Sequence, residues 1–254
     1  MDKADPFISE LLDRCANDTD VLGLVLCGSS AETARRDQWS DHDFLMITTD
    51  GAPERYRTEL RWLPDHEQIA FSCRETAHGL KALYRTGLMI EFAVFDRAEF
   101  AGCALNHYEV ALDRGGITEA AASVRERSMT PRSVDRLVEF RLFLGLLYLG
   151  VGRARRGERL SANVLIRTYA TEHLLRLARD LLPVERTTDL DALDVWRRLE
   201  YADESLAEAV DEALARPVEW AARALLESAE QYLPERWPQY PAADVGVVRT
   251  LLGW

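Results

Sequence analysis

Residues 22–47 read LGLVLCGSSAETARRDQWSDHDFLMI. An apolar run ends at Gly28-Ser29, a short polar stretch follows, and two carboxylates, Asp41 and Asp43, stand two positions apart at the head of a second apolar run. Alternate side chains of a β-strand share a face, so a strand here turns Asp41 and Asp43 one way and His42 the other. Two aligned carboxylates suit one or two hard divalent cations, and Mg²⁺ favours one or two carboxylates together with substrate phosphates. The Gly-Ser turn offers backbone N–H groups and a hydroxyl to those phosphates, and glycine lets the chain approach a ligand closely.

Outward from this stretch, hydrophobic periodicity assigns further elements. Residues 5–16 carry Phe7, Ile8, Leu11, Leu12 and Cys15 on one helical face. Val21–Cys27 reads as a strand and Ser29–Arg36 as a short helix, with Ser29 or Ser30 as its N-cap. Asp43–Thr49 is the second strand, Pro53–Trp62 a helix, and Glu67–Cys73, Leu88–Phe95 and His107–Leu112 three more strands. From Ile117 onward no strand pattern recurs, and Ala, Leu, Arg and Glu dominate. Ser133–Val151 reads as a long helix, apolar on nearly all sides after Phe140, hence the central helix of a bundle. Leu160–Leu182, Asp191–Tyr201, Ser205–Ala215 and Val218–Tyr232 read as further helices, with Pro183, Pro217, Pro234 and Pro238 at their ends. The expected fold class is α+β: a mixed sheet with helices over residues 1–116, followed by an all-helical bundle over 117–254.

The 254 residues are 47% hydrophobic and 29% charged, ordinary for a globular chain of one large or two modest domains. A net charge of −12 argues against a nonspecific nucleic-acid binder, which needs a basic surface. Lysine occurs only at Lys3 and Lys81, so arginine supplies nearly all the positive charge. Cys15, Cys27, Cys73 and Cys103 are scattered, with no Cys-x-x-Cys, and read as thiols of a reducing cytosol. MDKADPFISELL lacks the basic and apolar regions of a secretory signal. The longest apolar run, Leu142–Gly152, falls short of the ~20 residues that span a bilayer. A cytoplasmic protein without nucleic-acid or membrane partners is the expectation, and a homodimer is compatible with it.

Glu91 is the sole ionisable residue in LMIEFAVF, a run that otherwise suits burial on both faces. An unpartnered buried carboxylate is costly or protonated, and a metal ion or a part in proton transfer relieves that cost. An ion pair with an arginine is the structural alternative. Asp96, at the end of the same run, reads more simply as a helix N-cap.

An apolar strand, Gly28-Ser29, a short helix and then Asp41-x-Asp43 on the next strand resemble the signature of the nucleotidyltransferase superfamily, the DNA polymerase β-like group. Within it, CGSSAETARRDQWSDHDFLMI looks most like antibiotic nucleotidyltransferases of the lincosamide and aminoglycoside kind. The resemblance is specific over residues 21–48, and an α+β front with a helical back matches that group's plan. It implies Mg²⁺ on Asp41 and Asp43, with Glu91 at the position of a third carboxylate that ligates metal, acts as general base on the acceptor hydroxyl, or both. It further implies transfer of a nucleoside monophosphate, AMP from ATP by default, to a small hydroxylated acceptor lying against the helical domain. Related enzymes often set a lysine of the helical domain on the triphosphate. This chain has none there, so Arg141, the lone charge within FRLFLGLLYL, and Arg167, which shares a helix face with Asn163 and Thr171, are the candidates. Glu139 is an alternative base.

A second reading is an adenylylating antitoxin or regulator that modifies a protein. RTYATEH, Arg167–His173, fits the loose Arg-x(4–6)-His pattern of the HEPN ribonucleases that accompany small nucleotidyltransferases. In an unbroken helix those two residues stand about 120° apart and do not converge. A stand-alone antitoxin is also usually much shorter. The tail aromatics Trp196, Tyr201, Trp220, Tyr232, Trp237 and Tyr240 read mainly as helix-packing residues.

Overall fold

The structure is a computed structural model that describes residues 5–31, 40–130, 133–187 and 190–254, the side chains of Ser29 and Ala31 excepted. The chain divides into two compact units, residues 1–130 and 131–254.

The first unit is built on a six-stranded mixed sheet. In chain order it comprises α1 (Pro6–Asn17), β1 (Val21–Cys27), α2 (Gly28–Ala31), β2 (His42–Thr48), α3 (Pro53–Thr58), β3 (Ile69–Arg74), β4 (Gly79–Tyr84), β5 (Met89–Phe95), α4 (Arg97–Ala101), β6 (Tyr108–Asp113) and α5 (Ile117–Met129). The strand order is β3-β4-β5-β2-β1-β6. Among the described residues only the β2–β5 pairing is parallel. The most apolar runs, β1, β2 and β5, form the centre, where both neighbours are strands. One sheet face packs Leu24, Phe44, Met46, Phe92 and Val94 with Leu11 and Cys15 of α1 and Tyr56 of α3. The other packs Val25, Ile47 and Phe95 with Phe100 of α4 and Ile117, Ala121 and Val124 of α5.

The sequence reading places 117–129 with the helical part, whereas α5 lies on the sheet. Its Ile117, Ala121 and Val124 bury against β1 and β2, which moves the division to 130/131. β4 is an element the sequence reading lacks. The predicted helix 53–62 stops at Thr58 and continues as a 3₁₀ turn, Leu60–Trp62. The predicted helix 29–36 is seen as far as Ala31, and residues 32–36 lie outside the described residues.

The second unit is helical: α6 (Arg136–Arg155), α7 (Arg159–Asn163), a π-helical segment Val164–Ala170, α8 (Thr171–Asp180), α9 (Leu199–Ala202), α10 (Glu204–Leu214), α11 (Val218–Tyr232) and α12 (Ala242–Leu252). α6 packs against α7, α8, α11, α12 and the π segment, so it is central. It is not buried all round: Phe140, Phe143, Leu144, Leu147 and Val151 face the core, while Val138, Leu142 and Leu149 are exposed. The predicted helix 191–201 is a helix only at Leu199–Ala202. The Asp191 carboxylate accepts the N–H groups of Leu193 and Asp194, a local turn that competes with helix. Trp237 and Tyr240 pack on Phe140 as expected of packing aromatics, whereas Tyr201 and Trp220 are exposed. No helix among the described residues is long and apolar enough to cross a membrane.

Gly150 of α6 faces the π segment so closely that a Cβ there would lie 2.5 Å from Cγ1 of the fully buried Ile166. Gly150→Ala is therefore expected to destabilise the protein by about 1–3 kcal/mol, the usual cost of overpacking. Gly145→Ala, on the same helix with nothing within 4 Å, should be neutral or stabilising. Thermal melts of the two variants check this, and equal shifts would contradict it.

Candidate active site

The site begins where β1 ends. Gly28 has φ +55°, a left-handed conformation that suits glycine, and a Cβ there would stand 3.0 Å from Oδ2 of Asp43. The glycine thus makes room for the Asp43 carboxylate rather than only for a ligand. Its N–H donates to the His107 carbonyl at 3.2 Å, so that donor is used within the protein. The backbone N–H of Asp43 donates to Oγ of the buried Ser30 at 3.1 Å, fixing the start of β2 to the turn. The side chain of Ser29, a predicted phosphate ligand, lies outside the described residues.

Strand register does the rest. Asp43 is opposite Cys27 of β1 and Glu91 of β5, Glu91 is opposite Lys81 of β4, and Lys81 is opposite Cys73 of β3. Directly opposed residues share a sheet face, so one row of side chains crosses five strands. Asp41, one position before β2, joins this row. Asp41, Asp43 and Glu91 each offer a carboxylate oxygen, and these oxygens all lie within 4.8 Å of one another. His42 points to the opposite face, stacked on Phe7 at 5.3 Å with Nε2 3.3 Å from the Asp5 carboxylate. This is the alternation that strand geometry dictates.

Three half-buried carboxylates so close repel one another, and a cation between them relieves that repulsion. The donors are hard oxygens, the set that suits Mg²⁺ or Mn²⁺ rather than zinc or copper. Burial first, and then the negative charge of Asp43, push the neighbouring Cys27 thiol well above the usual range. The residues present therefore fit a divalent metal centre.

The environment of Glu91 differs from the sequence expectation. β5 buries one face, Ile90, Phe92 and Val94, and leaves the other half open. Glu91 is on the open face, its side chain 38% exposed, so solvation lowers the cost of its charge. Among the described residues its partner is not an arginine but Lys81, whose Nζ lies 3.0 Å from Glu91 Oε1 and 3.2 Å from Glu75 Oε1. Hydrogen bonding to Glu91, and next to Glu75, raises the Lys81 pKa and keeps the ammonium charged. Sequence reasoning passed over Lys81; its rarity in this chain was the available signal. Asp96 is the N-cap of α4, in a reciprocal capping box with Glu99.

The other predicted groups belong to the helical unit and have partners there. Arg141 Nε donates to Asp244 at 2.8 Å. Arg167 donates to the Asn163 side chain and to the Arg216 carbonyl. Glu139 pairs with His173 Nδ1 at 2.6 Å. Arg167 and His173 thus bind different partners on different elements, so nothing here brings them together as a ribonuclease pair.

No family model matches this chain, and no curated protein matches it. The solved structures to which it is similar include the following three proteins. A nucleotidyltransferase-like protein from Exiguobacterium sibiricum shares 16% identity at a TM-score of 0.35, over 90% of this chain and 77% of that one. An aminoglycoside 6-adenyltransferase from Bacillus subtilis shares 14% at 0.31, over 97% and 96%. A Thermotoga maritima CCA-adding enzyme, solved with tRNA, shares 14% at 0.34, over 98% and 67%. At such scores these likenesses decide nothing about chemistry, and the functional reading rests on the carboxylate geometry.

Proposed function

We propose that this protein is a divalent-metal-dependent nucleotidyltransferase that moves a nucleoside monophosphate, AMP from ATP, to a hydroxyl of a small molecule such as an aminoglycoside or lincosamide antibiotic. The observation that carries this reading is the convergence of Asp41, Asp43 and Glu91 within 4.8 Å at the end of a glycine turn. These three residues would hold Mg²⁺, which when bound offsets charge on the reacting phosphate and the leaving pyrophosphate. The turn after Gly28, with the Ser29 hydroxyl, receives the phosphates. Glu91 takes or orients the proton of the acceptor hydroxyl. The acceptor oxygen forms a bond to the α-phosphorus as the α–β bridging bond breaks, and pyrophosphate carries away the electron pair. Asp41 and Asp43, negatively charged, repel a triphosphate that arrives without its cation.

ATP is accordingly expected to bind many-fold more tightly in Mg²⁺ than in EDTA. Calorimetry in the two conditions tests this, and equal affinity would overturn the metal-centred reading.

A further inference from the structure

We infer that Lys81 is a built-in counter-cation of this centre, which disfavours a bare divalent ion and favours one that arrives with its triphosphate. The inference rests on the proposed metal site and adds a positioning residue to it. Register sets Lys81 beside Glu91, and its Nζ lies 3.0 Å from the Glu91 carboxylate. A second acceptor, Glu75, stands 3.2 Å from the same ammonium. Lys81 can therefore leave Glu91 without losing an anionic partner.

The charges fix the sign of the effect. A bare dication approaching Glu91 meets a fixed positive charge and must compete for the carboxylate. The metal–triphosphate complex is a net anion, and the same ammonium attracts it. A residue that merely supported the strand would change both affinities in the same direction. Lys81 should change them in opposite directions.

The test uses the full chain and variants Lys81→Met, Lys81→Arg and Glu75→Gln. Mn²⁺ uptake without nucleotide is read by electron paramagnetic resonance, MgATP binding by calorimetry, and folding by thermal melts. Lys81→Met should bind bare Mn²⁺ about tenfold more tightly at low salt, the scale set by one unit charge against a dication a few ångströms away. It should bind MgATP several-fold more weakly. Lys81→Arg keeps the charge and should stay near wild type. Glu75→Gln removes the second acceptor and should weaken Mn²⁺ uptake.

Weaker or unchanged Mn²⁺ uptake in Lys81→Met, with wild-type uptake intact, overturns the role of Lys81 alone. Parallel loss of both affinities in Lys81→Met, with a lowered melt, also overturns it, as does Lys81→Arg behaving like Lys81→Met. Absence of Mn²⁺ uptake in the wild type overturns the metal site and this inference together.

Discussion

Asp43→Asn is expected to abolish nucleotidyl transfer, by at least about 10³-fold, the upper range for removing one group that stabilises transition-state charge. Asp41→Asn should do the same. Asparagine keeps the shape of aspartate, so the Gly28 turn still closes over it, and the Asp43 N–H keeps its bond to Ser30. The variant also removes one of three closely spaced carboxylates, which relieves repulsion among them, so the fold should be retained. Gain or retention of stability with loss of turnover is the mark of a functional rather than a structural carboxylate. Single-turnover rate and melting temperature on the same preparation check it, and near wild-type turnover of either variant in Mg²⁺ would contradict the assignment.

Glu91→Gln is expected to lose about 10²–10⁴-fold in turnover, the range for general acid–base catalysis, and far less in ATP affinity. Nucleotide binding rests mainly on the aspartate pair and the turn, whereas the base acts on the acceptor as it reacts. The variant breaks the Lys81 ion pair, but that pair is partly exposed, and such pairs contribute little to stability. A destabilised but fully active Glu91→Gln would show that Glu91 is only the anchor of Lys81.

Much of the sheet unit was legible because long apolar runs signal central strands. β1, β2 and β5 are read from Val21–Cys27, Asp43–Thr49 and Leu88–Phe95, whereas the place of Glu91 beside the aspartate pair follows from the family resemblance rather than from the strand pattern. β4 was not legible: Gly79, Lys81 and Ala82 are poor strand formers, and the strand forms because Leu80, Ala82 and Tyr84 bury against the core. Losing the strand hid Lys81 and gave Glu91 the look of a buried orphan. The placement of α5 was hidden for a related reason. Composition tells a helix from a strand, but not whether the helix's apolar face meets a sheet or other helices. The turn at 191–194 depends on carboxylate–backbone bonds that hydrophobic periodicity does not register. The π segment at Val164–Ala170 is not registered by hydrophobic periodicity either, and it packs closely on α6 where Gly150 has no Cβ to meet Ile166.

The most direct test of a three-carboxylate transfer centre follows two labels. The wild type and Asp43→Asn are each incubated in Mg²⁺ with ATP labelled on the α- or the γ-phosphate, and with a panel of aminoglycosides and lincosamides. The prediction is that the wild type moves the α-label onto an acceptor, releases the γ-label as pyrophosphate, and does neither in EDTA, while Asp43→Asn is inert. Transfer of the γ-label to the acceptor, or equal transfer of the α-label by Asp43→Asn, would contradict it.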